Sequence, residues 1–345
     1  MYVTPDHRHE STRDMELVSV VIPARDEEGA IERAIRSVQQ QSYRNLQIVV
    51  VDGGSTDRTV ELAKAMAVQD PRVEILHNPM GIIPRSLNLA LAAARGRWLV
   101  RVDAHATVPV NYVERIVEHF NPGDWGGVGG RKDGFGEGPV GEAIAAAMAS
   151  RFGVGASTYH YATQPQEAEH IPFGAYPVGL ARDLGGWDER LRVNQDFEFD
   201  FRVRQAGYKL LLDPELSIRW ESRQSLRALF SQYLRYGRGK AKVAGLHPSS
   251  VRARHLGPPV LVLALGTALV AARRRPMLAV LLSGPYAVGV AVAAMRTASK
   301  VSPEARRALP GAFLAMHVGW GLGFWRGLPD LVAILRSEYR TRPRG

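Results

Sequence analysis

The sequence predicts an α/β fold: a mostly parallel central sheet flanked by helices, followed by hydrophobic C-terminal helices of transmembrane character. Three observations carry this expectation. From residue 17 to about 130, short β-rich apolar runs alternate with longer stretches of helical periodicity, as in a parallel sheet covered by helices. Clusters of polar residues fall where those runs end, the edge at which open α/β sheets take their ligands. The last part of the chain changes character and carries uncharged stretches of membrane-helix length.

The 345 residues divide into a tail over 1–15, an α/β domain over 16–245, a membrane region over 246–330 with two or three hydrophobic helices, and a basic tail over 331–345. The opening "MYVTPDHRHESTRDM" has no apolar run and therefore no secretory h-region, so it is expected to be disordered and the following domain cytoplasmic. "VSVVIPA" (18–24) is the first strand, with Pro23 expected to end its ladder. A helix over about 29–40 follows, with Ile31, Ala34, Ile35 and Val38 on one face. "LQIVVVDGG" (46–54) is the second strand, and the helix after it can be capped by Ser55, Thr56 or Asp57. "RVEILHN" precedes an amphipathic helix over about 83–94, closed by Gly96 as a C-terminal cap. "RWLVRVDA" is the fourth strand.

Beyond residue 130 the pattern is less regular. "GGVGGRKDGFGEGPVG" leads into an alanine-rich helix, "EAIAAAMASRFG", and then into "STYHYATQPQEAEH", whose length and polarity read as a mobile active-site element. The last strand-like run lies near 209–213.

The chain has no cysteine, which removes disulfides, thiolate metal sites and cysteine nucleophiles together. Its formal charge of +10 is unevenly placed. Between Arg219 and His255 nine Lys or Arg face one acid, Glu221, directly before the first long apolar stretch. With no aromatic stacking platform or DNA-reading helix beside it, this block points to membrane lipid or a diphosphate, not to nucleic acid. The stretches 257–272 and 276–295 carry no charge, and 308–325 carries none unless His317 is protonated. The second is long enough for a hydrocarbon core of ~30 Å. Arg273, Arg274 and Arg275 favour the cytoplasm, as does the domain before them, and both demands hold only if the first stretch lies in the interface or re-enters. The expected location is a multi-pass protein of the cell membrane.

Four clusters bear chemistry. "PARDEE" (23–28) exposes Arg25, Asp26 and Glu28 after strand one. In "VDGGSTD", Asp52 can accept hydrogen bonds from an imide or a ribose hydroxyl, while Gly53 and Gly54 let the backbone approach a ligand. In "VRVDAHATVP", Asp103 and His105 face one side if the strand persists through Ala104. A carboxylate with an imidazole suits Mn²⁺, whereas Mg²⁺ prefers oxygen throughout. The competing reading has Asp103 capping the next helix and His105 packed. In "NQDFEFDFRVRQAG", Asp196 and Asp200 share a helix face, and Asp196 in the first turn points at the ligand edge as a candidate general base.

Taken in order, "VSVVIPARDEE", "VVVDGGSTDRT", "RVDAHATVP", "GLARDLGGWDE", "NQDFEFDFRVRQAGY" and "QYLRYGRGK" resemble the family 2 glycosyltransferases of GT-A fold, and among them the membrane-anchored, succinoglycan-type enzymes of bacterial exopolysaccharide synthesis. The resemblance covers about 17–245 and implies roles. Pro23, Arg25, Glu28, Asp52 and Asp103 would line the pocket for a nucleoside-diphosphate sugar, most simply a UDP-sugar. Asp103 and His105 stand at the family's DXD position, where a divalent metal, Mn²⁺ or Mg²⁺, bridges the diphosphate; histidine departs from the usual second aspartate. Asp196, preceded by Gln195 where the family often has Glu, stands at the catalytic base. "QYLRY" resembles QxxRW with Tyr236 for Trp. Trp187, Asp188, Gln195, Gln232, Arg235 and Tyr236 would meet the diphosphate or a lipid-linked or oligosaccharide acceptor. The implied reaction is a single displacement with inversion. A nucleotidyltransferase is disfavoured because "PARDEE" is mainly acidic; a non-catalytic scaffold would have no reason to hold Asp52, Asp103 and Asp196 together.

Overall fold

In the computed structural model, which describes residues 16–121 and 125–341, the chain begins with β1 (Val18–Ala24), α1 (Ile31–Gln39), β2 (Leu46–Asp52), α2 (Thr59–Gln69), β3 (Val73–His77), α3 (Ile83–Ala93), β4 (Trp98–Arg101) and α4 (Tyr112–Phe120). The tail expected over 1–15 lies outside the described residues, as do 342–345 at the other end. Then follow β5 (Trp125–Phe135), α5 (Gly138–Met148), α6 (Arg151–Val154), β6 (Gln166–Glu167), β7 (Ala175–Pro177), α7 (Val178–Asp183), α8 (Gln195–Gln205), β8 (Lys209–Glu221) and α9 (Leu226–Leu246). The chain closes with α10 (Ala253–Ala271), α11 (Pro276–Thr297) and α12 (Leu309–Thr341).

The strands form one sheet in the order β3-β2-β1-β4-β7-β5-β8-β6. β1, β2, β3 and β4 are mutually parallel where they pair, β7 is antiparallel to both neighbours, and β6 is antiparallel to β8. Strands β1, β2 and β4 are buried along almost their whole length, as expected of parallel strands covered on both faces. The path leaves β1 toward β2 on one side and returns to β4 on the other, so a crevice opens at the carboxyl ends of these strands. Register brings the ends level, with Ala24 opposite Asp52 and Asp52 opposite His77.

Several local expectations are corrected. β1 runs past Pro23, which pairs with Val51. Of the three residues expected to cap α2, it is Asp57 whose carboxylate accepts from Thr59 N, at 3.0 Å, which agrees with the expectation. Gly96 is no left-handed cap; a Cβ there would lie 2.5 Å from Ser19 N and 2.6 Å from Leu17 O, so the residue is small because β1 passes against it. The glycine-rich run after 125 is the long strand β5, parallel to β8, which itself extends far beyond the expected 209–213.

α9 and α12 pack along two facing stripes of small residues. A Cβ on Gly237 of α9 would lie 1.9 Å from Trp320 O, and one on Gly323 of α12 would lie 2.1 Å from Leu234 O. Leu309, Phe313 and Met316 at the start of α12 are fully buried against protein, so the third apolar stretch of the sequence is an internal helix. α12 continues through 331–341, part of the segment expected as a tail. α10 and α11 differ: both are long and apolar enough to cross a membrane, and only 11% of each is buried. Val260, Leu263, Leu269, Val280, Leu281 and Val288 are exposed on them.

Candidate active site

The site is built first from the end of β4. The strand stops at Arg101, and a turn in which Ala106 N donates to Asp103 O replaces the extended geometry expected through Ala104. Asp103 and His105 therefore diverge instead of sharing a strand face. Asp103 turns inward to Arg101, whose Nε donates to its Oδ1 at 2.8 Å. His105 is more exposed and turns to the loop after β1, with Nδ1 3.0 Å from Glu27 Oε1. Asp103 still acts on the imidazole electrostatically, and with Glu27 as the largest cause it raises the His105 pKa against burial.

The second wall is α8. Asn194 adopts left-handed backbone, φ 61°, and its amide donates to Tyr236 O at 3.0 Å, which fixes the first turn of α8 on α9. Asp196 in that turn receives both contacts of Arg101 Nη1, at 2.9 Å to Oδ1 and 2.7 Å to Oδ2. Arg101 is buried, with 6% side-chain exposure, and sits between the two carboxylates. Burial opposes its charge, but Asp103 and Asp196 outweigh this and raise its pKa. Asp200, one turn further, is not a second site carboxylate. It is fully buried and accepts from His170 Nδ1 at 2.6 Å, Ile171 N at 2.9 Å and Tyr176 OH at 2.7 Å, and so pins the end of the polar loop over 157–170 to the sheet.

A floor of aromatic rings carries the cations. Phe173, buried with φ 52°, has Arg101 at 5.2 Å and Lys132 Nζ at 5.3 Å from its ring centre. Left-handed backbone at a phenylalanine is costly and marks a position held by its surroundings. Lys132 lies after a register shift in β5 and also stacks on Trp220 at 3.6 Å. It makes no hydrogen bond or ion pair among the described residues; burial, eased by Asp103, lowers its pKa to about 8.

α9 supplies the third wall. Gln232 donates to Tyr236 OH at 3.1 Å. Burial pushes the Tyr236 hydroxyl up, Arg223, Gln232 and Arg235 oppose, and Asp103 reinforces, so helix and strand end share one electrostatic neighbourhood. Arg235 is exposed beside it. Gln195 Oε1 and Gln232 Oε1 are buried without a hydrogen-bond partner, two orphan acceptors in the walls formed by α8 and α9.

The loops after β1 and β2 are laced together. Asp26, φ 54°, accepts from Thr56 N at 2.7 Å, Glu27 N donates to Thr59 Oγ1 at 2.7 Å, and Glu28 N donates to Asp57 at 3.0 Å. Glu28 and Arg25 are exposed there, and Pro23 is half-buried beneath them. Asp52 organises its own turn, accepting from Gly54 N at 3.1 Å, Ser55 N at 3.0 Å and His77 Nδ1 at 3.1 Å, with Gly54 at φ 78°. Burial works against its charge, and these hydrogen bonds, Ser55 first, hold its pKa below the usual carboxylate value. Gly53 approaches the Ala24–Arg25 backbone and Gly81 more closely than open solvent.

Two expected residues stay apart from this assembly. The Trp187 ring lies in the core against Phe199 and Tyr176, and Asp188 is paired with Arg190 at 2.6 Å. Four others, Glu27, Arg101, Lys132 and Phe173, enter it without having been singled out from the sequence. Only Arg101 had a visible signal, a charged residue inside an otherwise apolar strand.

Though they turn to different partners, Asp103 and His105 each keep one atom of the kind a divalent ion takes. If Nδ1 of His105 donates to Glu27, Nε2 is left as a free donor atom of the kind metals take, and the carboxylate behind the ring is the usual support of such a ligand. Asp103 keeps Oδ2 without a partner among the described residues. No group of three or more potential ligands is assembled among them, so phosphate or water oxygens would complete the shell.

Residues 19–181 match the model of glycosyl transferase family 2. The chain is 33% identical over 316 residues to the succinoglycan biosynthesis protein ExoA of Rhizobium meliloti, covering 90% of this chain and 94% of that protein. It is 25% identical over 236 residues to a dolichyl N-acetyl-alpha-D-glucosaminyl phosphate 3-beta-D-2,3-diacetamido-2,3-dideoxy-beta-D-glucuronosyltransferase of Methanococcus voltae, covering 66% of this chain and 73% of that protein. Among solved structures, the mannosyltransferase PcManGT from Pyrobaculum calidifontis, in complex with GDP-Man and Mn²⁺, superposes with a TM-score of 0.54 at 20% identity, covering 94% of this chain and 88% of that one. That likeness extends the GT-A fold to the chain.

Proposed function

Because the chain belongs to glycosyltransferase family 2, we propose that it moves a sugar, with inversion, from a nucleoside-diphosphate donor to a lipid-linked saccharide in exopolysaccharide assembly. The observation that carries this reading is the single guanidinium of Arg101, which gathers Asp103 and Asp196 at the crevice between β1 and β4.

Asp196 is the general base that takes the proton of the attacking hydroxyl, and Arg101 holds its carboxylate in place. Asp103 Oδ2 and His105 Nε2 hold a divalent ion, with Glu27 behind the histidine. When bound, that ion offsets charge on the departing diphosphate. Lys132, a cation without a carboxylate partner, lies where it adds to this. Nitrogen among the ligands favours Mn²⁺ over Mg²⁺. Pro23, Arg25, Glu28 and Asp52 border the nucleotide end, with UDP as the expected carrier. Gln195, Gln232, Arg235 and Tyr236 border the acceptor end, where the orphan oxygens of Gln195 and Gln232 can receive sugar hydroxyls. The exposed apolar faces of α10 and α11 support membrane association; the reading adds a multi-pass anchor with the catalytic domain on the cytoplasmic side. A lipid-linked acceptor agrees with that placement and with the dolichyl N-acetyl-alpha-D-glucosaminyl phosphate in the name of the Methanococcus relative.

The test is a donor screen. Purified full-length chain is given UDP-, GDP- and dTDP-sugars with Mn²⁺, Mg²⁺ or EDTA, and nucleoside diphosphate release is measured with and without a membrane lipid extract. Metal-dependent release from a UDP-sugar, stimulated by the extract, is expected, and NMR of the product gives the anomeric configuration. Release that EDTA leaves untouched, or a retained configuration, overturns the reading.

A further inference from the structure

Where α9 hands over to α10, the chain gathers cations that the transfer step does not use. Lys240 on α9 is only 4% exposed, yet its ammonium meets a single oxygen, Ser250 O, at a long 3.4 Å, and the face of Phe197 at 3.7 Å. An ammonium has three N–H donors, so two are left without an acceptor among the described residues. Ser250 is itself 3% exposed, and its hydroxyl has no partner. On α8, Nε of Arg204 is likewise buried and unpartnered. Arg252 and Arg254, at the start of α10, share one carboxylate, Glu169: Arg252 Nε lies 3.3 Å from Oε1, and Arg254 bonds Oε2. Burial, then Arg254, Arg204 and Arg252, lower the Lys240 pKa to about 7, with Glu169 opposing. Four basic side chains thus cluster about a single carboxylate, and the two buried donor groups among them, on Lys240 and Arg204, are costly unless an anion meets them.

We infer that this cluster is a phosphate site, and that its ligand is the phosphate or diphosphate joining an acceptor saccharide to its isoprenoid chain. The inference rests on the transferase reading above and adds to it the part of the acceptor that is recognised and the residues that recognise it. The order of groups along the protein carries it. α10, the first helix long and apolar enough to span, begins at Ala253; the cations lie at its first turn and beneath it; Phe197, on which Lys240 sits, adjoins Asp196. A lipid-linked acceptor has the same order: apolar chain, phosphate, sugar hydroxyl. Its phosphate would take over Arg252 and Arg254 from Glu169, giving them a more highly charged anion and the unpaired N–H groups of Lys240 an acceptor. Glu169 ends the polar loop over 157–170 beside His170, so this exchange also frees one of that loop's ties to α10.

The same chemistry is offered by bilayer headgroups, and the test separates the two sources. Full-length chain in phosphatidylcholine nanodiscs, with UDP and Mn²⁺ saturating the donor side, is titrated calorimetrically with farnesyl diphosphate. Lys240→Met and Arg254→Gln are each expected to weaken binding by about tenfold or more, the loss of a charge-assisted contact. Farnesol is expected to give no comparable heat, and exchanging part of the phosphatidylcholine for phosphatidylglycerol to leave Kd unchanged. Arg254 is exposed, so its variant keeps the test clear of folding defects. Unchanged affinity in both variants overturns the site, and competition by phosphatidylglycerol overturns its assignment to the acceptor. Binding of UDP, GDP and dTDP to wild-type chain reads the donor side separately: if none of the three binds, the donor part of the transferase reading fails, whatever farnesyl diphosphate does.

Discussion

Arg101 donates from Nε to Asp103 and from Nη1 to both oxygens of Asp196, so one buried side chain ties the end of β4 to the first turn of α8. A lysine has the charge but not the planar fork and cannot reach both carboxylates in this way. Arg101→Lys should lower turnover by about 10²-fold, because the base is no longer held in place. Arg101→Met, which leaves two carboxylates facing each other, should cost about 3–5 kcal/mol of stability. Thermal unfolding and nucleoside diphosphate release report the two effects. Wild-type turnover in Arg101→Lys would show that the clamp has no part in the reaction.

Asp196→Asn removes the proposed proton acceptor and keeps the shape. Loss of a general base is worth about 10²–10⁴-fold, so transfer should almost vanish while calorimetric affinity for the donor nucleotide stays near wild type. Retention of more than about a tenth of the turnover, outside that range, returns Asp196 to a purely structural role as the partner of Arg101.

In the proposed metal site Glu27 supports His105 through one hydrogen bond to its ring. Glu27→Gln should raise the Mn²⁺ concentration needed for half-maximal activity by about tenfold, the low end of the effect of such supporting groups. His105→Asp should keep activity and move the preference toward Mg²⁺, since it restores an all-oxygen set. If His105→Ala leaves the metal titration where it was, the imidazole only packs against Glu27.

The regular half of the fold was legible because parallel strands, buried on both faces, write themselves as unbroken apolar runs, and β1 and β2 appear where their runs predict. β5 was hidden because its glycines are dictated by neighbours and not by strand preference. A Cβ on Gly129 would lie 2.6 Å from Ile171, and one on Gly130 would lie 1.5 Å from Leu216 O. The site was half legible for a related reason. Asp103 and Asp196 carry their signal in residue type and place, but Arg101 and Lys132 matter through a partner 95 residues away, or through rings brought by the turn before β7 and by β8. Trp187 misled in the opposite sense: an aromatic residue in a motif-like stretch proved to be core, stacked at 4.4 Å on Phe199.

Stability should also carry an acid limit set at one buried carboxylate. Asp213 on β8 has no exposed surface and accepts from Arg115 Nε at 2.5 Å and His119 Nε2 at 2.7 Å, both on α4, and from Glu215 N at 3.0 Å. Burial alone would raise its pKa, but Arg115 and His119 bring it below the ordinary value of 3.8. A carboxylate with a lowered pKa in the folded state contributes stability that is complete above the unfolded value and is lost as pH falls from there through the folded one. The melting temperature of wild type minus that of Asp213→Asn should therefore shrink steadily as pH falls from about 5 toward 3, since the variant has no proton to take up at this position. Other acids titrate in both proteins and cancel in the difference. A difference that stays flat down to pH 3 would mean that the contacts to Arg115 and His119 do not depend on the charge of Asp213.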